Sequence, residues 1–75
     1  MPPLPVISGD KAAKAFVRHG YRYLHMRGSH MMYVKPGSIK LSIPRDKELD
    51  RGLLRKLISD AGLEVDEFIR LLKKR

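Results

Sequence analysis

The sequence has no cysteine and no tryptophan. Without cysteine there is neither a disulfide framework nor a thiolate metal site, and the absence fits a reducing cytoplasm. No apolar run approaches the roughly 20 residues that a membrane-spanning helix needs. Met1 to Ile7 lacks a charged start followed by an apolar stretch, so no signal peptide is expected. The expectation is therefore a soluble, cytoplasmic protein forming one domain over residues 1–75. A chain of this length buries only about 60% of the surface its unfolded form exposes, so the core must be thin.

Acidic residues are scarce, with eight Asp and Glu against sixteen Lys and Arg, for a net charge of +8. Their placement says more than their number. From Lys11 through Arg45 there are eight basic residues, all three histidines and no acid, whereas seven of the eight acids lie between Asp46 and Glu67. A one-sided basic surface on a small chain implies a polyanionic partner, nucleic acid first.

Pro2, Pro3 and Pro5 make the N-terminus an extended lead-in. Ser8 reads as an N-cap with Asp10 in the first turn. Ala12, Ala13, Phe16 and Val17 form an apolar stripe, and Gly20 is a stop, which predicts a helix over about 9–19. Tyr21 to Arg27 and His30 to Lys35 read as strands joined at Gly28-Ser29, the second closed by Pro36-Gly37. Ile39, Leu41 and Ile43 alternate with Lys40 and Ser42 as a third strand, ended by Pro44. Asp50 can cap a second helix with Leu53, Leu54, Leu57, Ile58 and Ala61 on its buried side, stopped by Gly62. Glu64, Asp66 and Glu67 open a short last helix with Val65, Phe68, Ile69 and Leu72 inward and Lys73, Lys74 and Arg75 at its end. The fold class is thus α+β: a three-stranded antiparallel sheet with two main helices on one face and a short C-terminal helix, in the order α-β-β-β-α-α. That is the arrangement of a double-stranded-RNA-binding domain.

Most catalytic patterns are missing. There is no Gly-rich phosphate loop with a Lys-Ser or Lys-Thr pair, and nothing calls for a cofactor. The basic half has no paired carboxylates, as two-metal nucleases require. His25 and His30 match no common zinc spacing, so no metal is expected. Cleavage of nucleic acid without a metal is possible for RNA, whose 2′-hydroxyl is a nucleophile beside the phosphate. Such an enzyme needs a base, a proton donor and positive charge.

His30, directly after the Gly28-Ser29 turn, is a candidate for proton transfer, because imidazole titrates near neutral pH. Taken alone, the tripeptide fits a bystander surface histidine better. His19, beside Gly20, fits a structural role at the helix end. His25 is expected on the same strand face as Tyr21, Tyr23 and Arg27, where it either touches RNA or fills a partly buried face. Arg22, Arg27, Lys35 and Lys40 are candidates to bind phosphates, with Ser29 in the turn beside them. Tyr21 is expected in the core, while Tyr23 and Tyr33 fit packing and base stacking equally. Met26, Met31 and Met32 read as packing residues or as an adaptable partner surface.

An ordered set of segments carries a resemblance. Leu4-Pro5-Val6-Ile7-Ser8-Gly9 opens the chain and Gly20-Tyr21 ends the first helix. Arg27-Gly28-Ser29-His30, Pro36-Gly37 and Ile43-Pro44 follow, then Arg51-Gly52-Leu53-Leu54-Arg55, Asp60-Ala61-Gly62-Leu63 and Glu67-Phe68. In this order they resemble the HicA toxin family over nearly the whole chain. The resemblance implies a double-stranded-RNA-binding-like fold, metal-independent cleavage of mRNA and neutralisation by a HicB-type antitoxin. It assigns the functional histidine to His30, which turns that residue from bystander to expected catalyst. Two features depart from the family. Glu64 stands where Thr or Ser commonly caps the last helix, so fraying is expected there, and the first strand, with Tyr23, His25 and Met26, is more variable than the motif.

The expected function is that of an mRNA interferase with His30 as acid or base. The alternative is a non-catalytic RNA-binding domain, which has no evident use for Gly28-Ser29-His30. For the toxin, an acidic partner protein is expected to cover the basic face and with it His30 or its approach.

Overall fold

The computed structural model describes residues 3–74. The readings made for Pro2 and Arg75 lie outside the described residues. The elements are α1 (Gly9–Arg18), β1 (Arg22–Arg27), β2 (His30–Val34), β3 (Leu41–Pro44), α2 (Arg51–Asp60) and α3 (Val65–Lys73). The sheet is antiparallel in the order β1-β2-β3. The expected α-β-β-β-α-α order and the double-stranded-RNA-binding-like architecture are therefore observed.

Local chemistry sets the helix ends. The Ser8 hydroxyl accepts from the Lys11 N–H at 3.1 Å and the Asp50 carboxylate accepts from the Leu53 N–H at 3.0 Å, so each satisfies an orphan donor of a first turn. At α3, Glu67 reaches back to accept from the Glu64 N–H at 3.1 Å. This reach-back is one half of a capping box. It gives the Glu64 N–H a partner at the entry to α3. At the other end of α3, the Arg18 guanidinium donates to the Leu71 carbonyl at 2.7 Å, binding α1 to the carbonyl-rich terminus.

The core lies between the sheet and the helices. Phe16, Tyr21, Leu41, Ile43, Leu54, Ile58 and Phe68 are all essentially inaccessible. Each fully buried large side chain contributes about 1.5–3 kcal/mol relative to exposure. Phe16 of α1 packs at a tilt against Phe68 of α3, with ring centres 5.1 Å apart, and meets Tyr21 edge-on at 6.2 Å. Burial raises the Tyr21 hydroxyl above the ordinary tyrosine range, and the hydroxyl donates to the Ile39 carbonyl at 2.8 Å. Gly9 is required by close approach: a Cβ there would run into the Pro44 carbonyl oxygen. Its N–H donates to the Asp46 carbonyl at 2.8 Å, seating the start of α1 on the exit from β3.

Two expectations are corrected. Ile39 does not open a buried strand: β3 begins at Leu41, and Ile39 is 59% exposed in the connection before it. His25 does not share a face with Tyr23. The pairing steps from Tyr23↔Tyr33 to His25↔Met32, so Leu24 is an extra residue in β1. Such a bulge reverses the alternation of the strand. Tyr23 therefore shares the helix side with Tyr33, against which it packs edge-on at 5.7 Å, and His25 faces the other way.

Candidate active site

Directly opposed residues in an antiparallel sheet share a face. Met31↔Ile43 and Tyr33↔Leu41 face the helices, and these four side chains belong to the core. The intervening positions then face outward: Arg22, His25 and Arg27 from β1, His30, Met32 and Val34 from β2, and Ser42 and Pro44 from β3. This outer face carries two histidines, two arginines and no carboxylate. Arg22, His25, Arg27 and His30 are exposed on it, while Met32 is buried among its neighbours.

His30 sits at one end of this face. The β1–β2 connection is the two-residue turn Gly28-Ser29, in which Gly28 has φ +61 and no non-glycine residue has positive φ. A positive φ at the first central position alone is the signature of a type II′ turn, whose twist matches the strands it joins. A glycine is thus needed at position 28, and the turn delivers His30 as the first residue of β2 with Arg27 directly across from it. The exit of β3 is tied to the same corner, where the Arg45 N–H donates to the Ser29 carbonyl at 3.1 Å.

The imidazole of His30 is oriented by Ser42, with Nδ1 3.0 Å from the hydroxyl oxygen. Ser42 lies diagonally across on β3, two residues before Pro44, the register partner of His30. Among the described residues Nε2 has no partner, and the side chain is exposed. The result is one nitrogen fixed by the scaffold and one facing solvent, beside an arginine.

The other predicted residues are distributed along and beyond this face. Arg22 shares it but lies at the far end of β1, opposite Val34. Ser29 is in the turn, and its backbone rather than its hydroxyl makes the observed contact. Lys35 follows β2 at its other end, roughly 16 Å of extended chain from His30, and its ammonium lies 3.3 Å from His19 Nε2 and 6.0 Å from the centre of the Tyr21 ring. Lys40 is exposed just before Leu41, also at the end remote from His30. His19 has the structural place expected of it, ending α1 with Nε2 3.2 Å from the Ala61 carbonyl. Two residues at the His30 corner were not singled out from sequence. Ser42 is one. Arg45 is the other, paired at 3.4 Å with Asp10 at the start of α1.

Among the described residues no group of three His, Asp or Glu side chains comes together to hold a metal ion, and no helix is long and apolar enough to cross a membrane.

A small α+β protein with helices on one side of an antiparallel sheet, and a basic, histidine-bearing face on the other, belongs to the double-stranded-RNA-binding-like folds. A family model described as HicA toxin of bacterial toxin-antitoxin matches residues 9–63, which span α1 through α2 and include the turn and His30. The chain belongs to the HicA toxin family, and is therefore the toxin of a toxin–antitoxin system with an antitoxin as its partner. No curated protein matches it.

Proposed function

We propose that the chain is a metal-independent endoribonuclease, an mRNA interferase, with His30 as its catalytic base. The observation that carries this reading is the imidazole held at 3.0 Å by Ser42 with Nε2 directed to solvent. In the tautomer whose Nδ1–H donates to the Ser42 oxygen, Nε2 presents a lone pair to a substrate on the outer face. It takes the proton of an RNA 2′-hydroxyl. The 2′-oxygen attacks the adjacent phosphorus, the bond from phosphorus to the 5′-oxygen breaks, and that oxygen leaves with a proton from water. The products are a 2′,3′-cyclic phosphate and a 5′-hydroxyl, and His30 returns its proton to solvent.

Arg27, directly across from His30, supplies charge to the phosphorane as it forms. Arg22 extends the positive track along the same face, and Lys35 and Lys40 continue it beyond the far end of the sheet, with Ser29 lining the turn. Ser42 is a positioning residue that acts through His30. A face without carboxylates does not suit a two-metal mechanism. DNA lacks the 2′-hydroxyl and is not a substrate. The antitoxin is of the HicB type and neutralises the toxin by covering this face, in the cytoplasm where mRNA is available.

The test is incubation of wild type and His30→Ala with a long single-stranded RNA in EDTA, resolved on a gel. Wild type cuts, and His30→Ala loses about 10²–10⁴-fold in rate with an unchanged melting temperature. Equal cutting by both proteins removes His30 from the mechanism. RNA bound but cut by neither would point instead to a non-catalytic binding domain.

A further inference from the structure

The basic residues of the helical layer take no part in the site just described, and they are not scattered. Lys11, Lys14 and Arg18 fall at i, i+3 and i+7 of α1, which places them on one side of the helix. All three are exposed, while Ala12, Ala13, Ala15 and Phe16 turn inward. They span about 10 Å along the axis. Beside them, α3 brings Leu72 to the floor of a shallow groove of 390 Å³ whose walls are Ser8, Asp10, Lys11, Lys14 and Arg18. Lys73 meets Lys11 across the adjoining depression.

Among the described residues no acidic side chain pairs with Lys11, Lys14 or Lys73. Among the described residues the ion pairs are Arg45 with Asp10 and Lys56 with Asp60. Asp10, the one acid in the groove, is thus engaged by Arg45, and Arg18 is engaged by the α3 carbonyls. Lys11, Lys14 and Lys73 are exposed in the helical layer, on the opposite side of the sheet from His30.

We propose that the Lys11–Lys14–Lys73 stripe is a second RNA-binding surface that takes the phosphodiester backbone of a long substrate without reading its bases. The proposal rests on RNA being the substrate. Lysine is a compact charge on a flexible stem and suits a phosphate without fixing its orientation, and backbone contacts of this kind position a nucleic acid rather than specify it. A protein partner fits less well. Protein interfaces are depleted in lysine and built on exposed apolar centres, whereas of the apolar residues between Lys11 and Lys73 only Pro3 is exposed, and Pro5, Ile7, Ile69 and Leu72 are buried or half-buried. A short oligonucleotide that fills the outer face does not reach the helical layer, and a long RNA that wraps the edge of the molecule reaches both.

The test compares Lys11→Gln/Lys14→Gln/Lys73→Gln with its parent. Binding to a long single-stranded RNA is followed against salt in a His30→Ala background, and cleavage of a short oligonucleotide is followed with His30 intact. The triple variant is expected to bind the long RNA about tenfold or more weakly, and to lower the slope of log affinity against log salt by about 2, as three lost phosphate contacts on a single strand require. Short-oligonucleotide cleavage stays within twofold of the parent. An unchanged affinity and slope overturns the proposal. So does an equal loss of short-oligonucleotide cleavage, which would merge the stripe with the His30 site, or a loss of antitoxin binding with RNA binding intact. A parent that binds no RNA at all would instead sink the reading of RNA as substrate.

Discussion

β1 and β3 are both edge strands of one small sheet, and they are built to opposite ends. β3 alternates Leu41 and Ile43, each fully buried beneath helices, with the half-buried Ser42 and Pro44. All six residues of β1 are exposed, including Tyr23 at 52%, Leu24 at 45% and Met26 at 39%. The core takes in Met31 and Tyr33 of β2 and Leu41 and Ile43 of β3, and leaves the side chains of β1 exposed. A domain of this size has too little apolar surface to bury every strand. The stability of the fold therefore resides in β2, β3 and the helices, while β1 is held by its ladder to β2 and presents its groups to a partner. The candidate site straddles the two regimes: Arg27 comes from the exposed strand, and His30 and Ser42 from the anchored ones.

That division can be broken by substitutions on either side of it. Ile43→Ala removes fully buried methyl groups from the centre of the core and is expected to cost about 2–5 kcal/mol in denaturant unfolding. Tyr23→Ala, half exposed and packed only edge-on against Tyr33, is expected to cost about 1 kcal/mol or less in the same experiment. Equal losses would show that β1 belongs to the folding core after all. Ser42→Ala sharpens the comparison, since its hydroxyl faces away from the core. Cleavage is expected to fall on the order of tenfold, a fraction of what a general base supplies, with a displaced pH–rate profile. Ser42→Thr restores both, and neither variant changes stability by more than about 0.5 kcal/mol. A Ser42→Ala protein with an unaltered pH–rate profile would deny Ser42 its hold on His30.

Much of this architecture was legible in the chain. Ser8, Asp50, Gly20 and Gly62 act within a few residues of where they stand, so the helix ends could be read directly. The Gly28-Ser29 turn was legible for the same reason, whereas His30 stood out from the other histidines only through the family resemblance. What escaped depended on register. The bulge at Leu24 leaves no mark on an apolar–polar pattern, yet it moves His25 to the opposite face from Tyr23. Ile39 continues the alternation of Leu41 and Ile43, but no helix extends over it. Ser42 reads as an ordinary outward position of a strand. Its proximity to His30 exists only because His30 pairs with Pro44. Lys35 was grouped with the phosphate candidates by charge, and its neighbourhood in sequence does not disclose that its ammonium also lies beside His19 and Tyr21.

The central claim is that His30 drives attack by the substrate's own 2′-hydroxyl. The most direct measurement maps a cleaved bond in an RNA, replaces the single ribose on its 5′ side with 2′-deoxyribose, and compares the two substrates with wild-type protein. Cleavage at that bond should disappear with the one oxygen removed, while neighbouring sites are still cut. Undiminished cleavage at the deoxyribose position would mean that water or another nucleophile does the work, and the account built on His30 and Ser42 would be wrong.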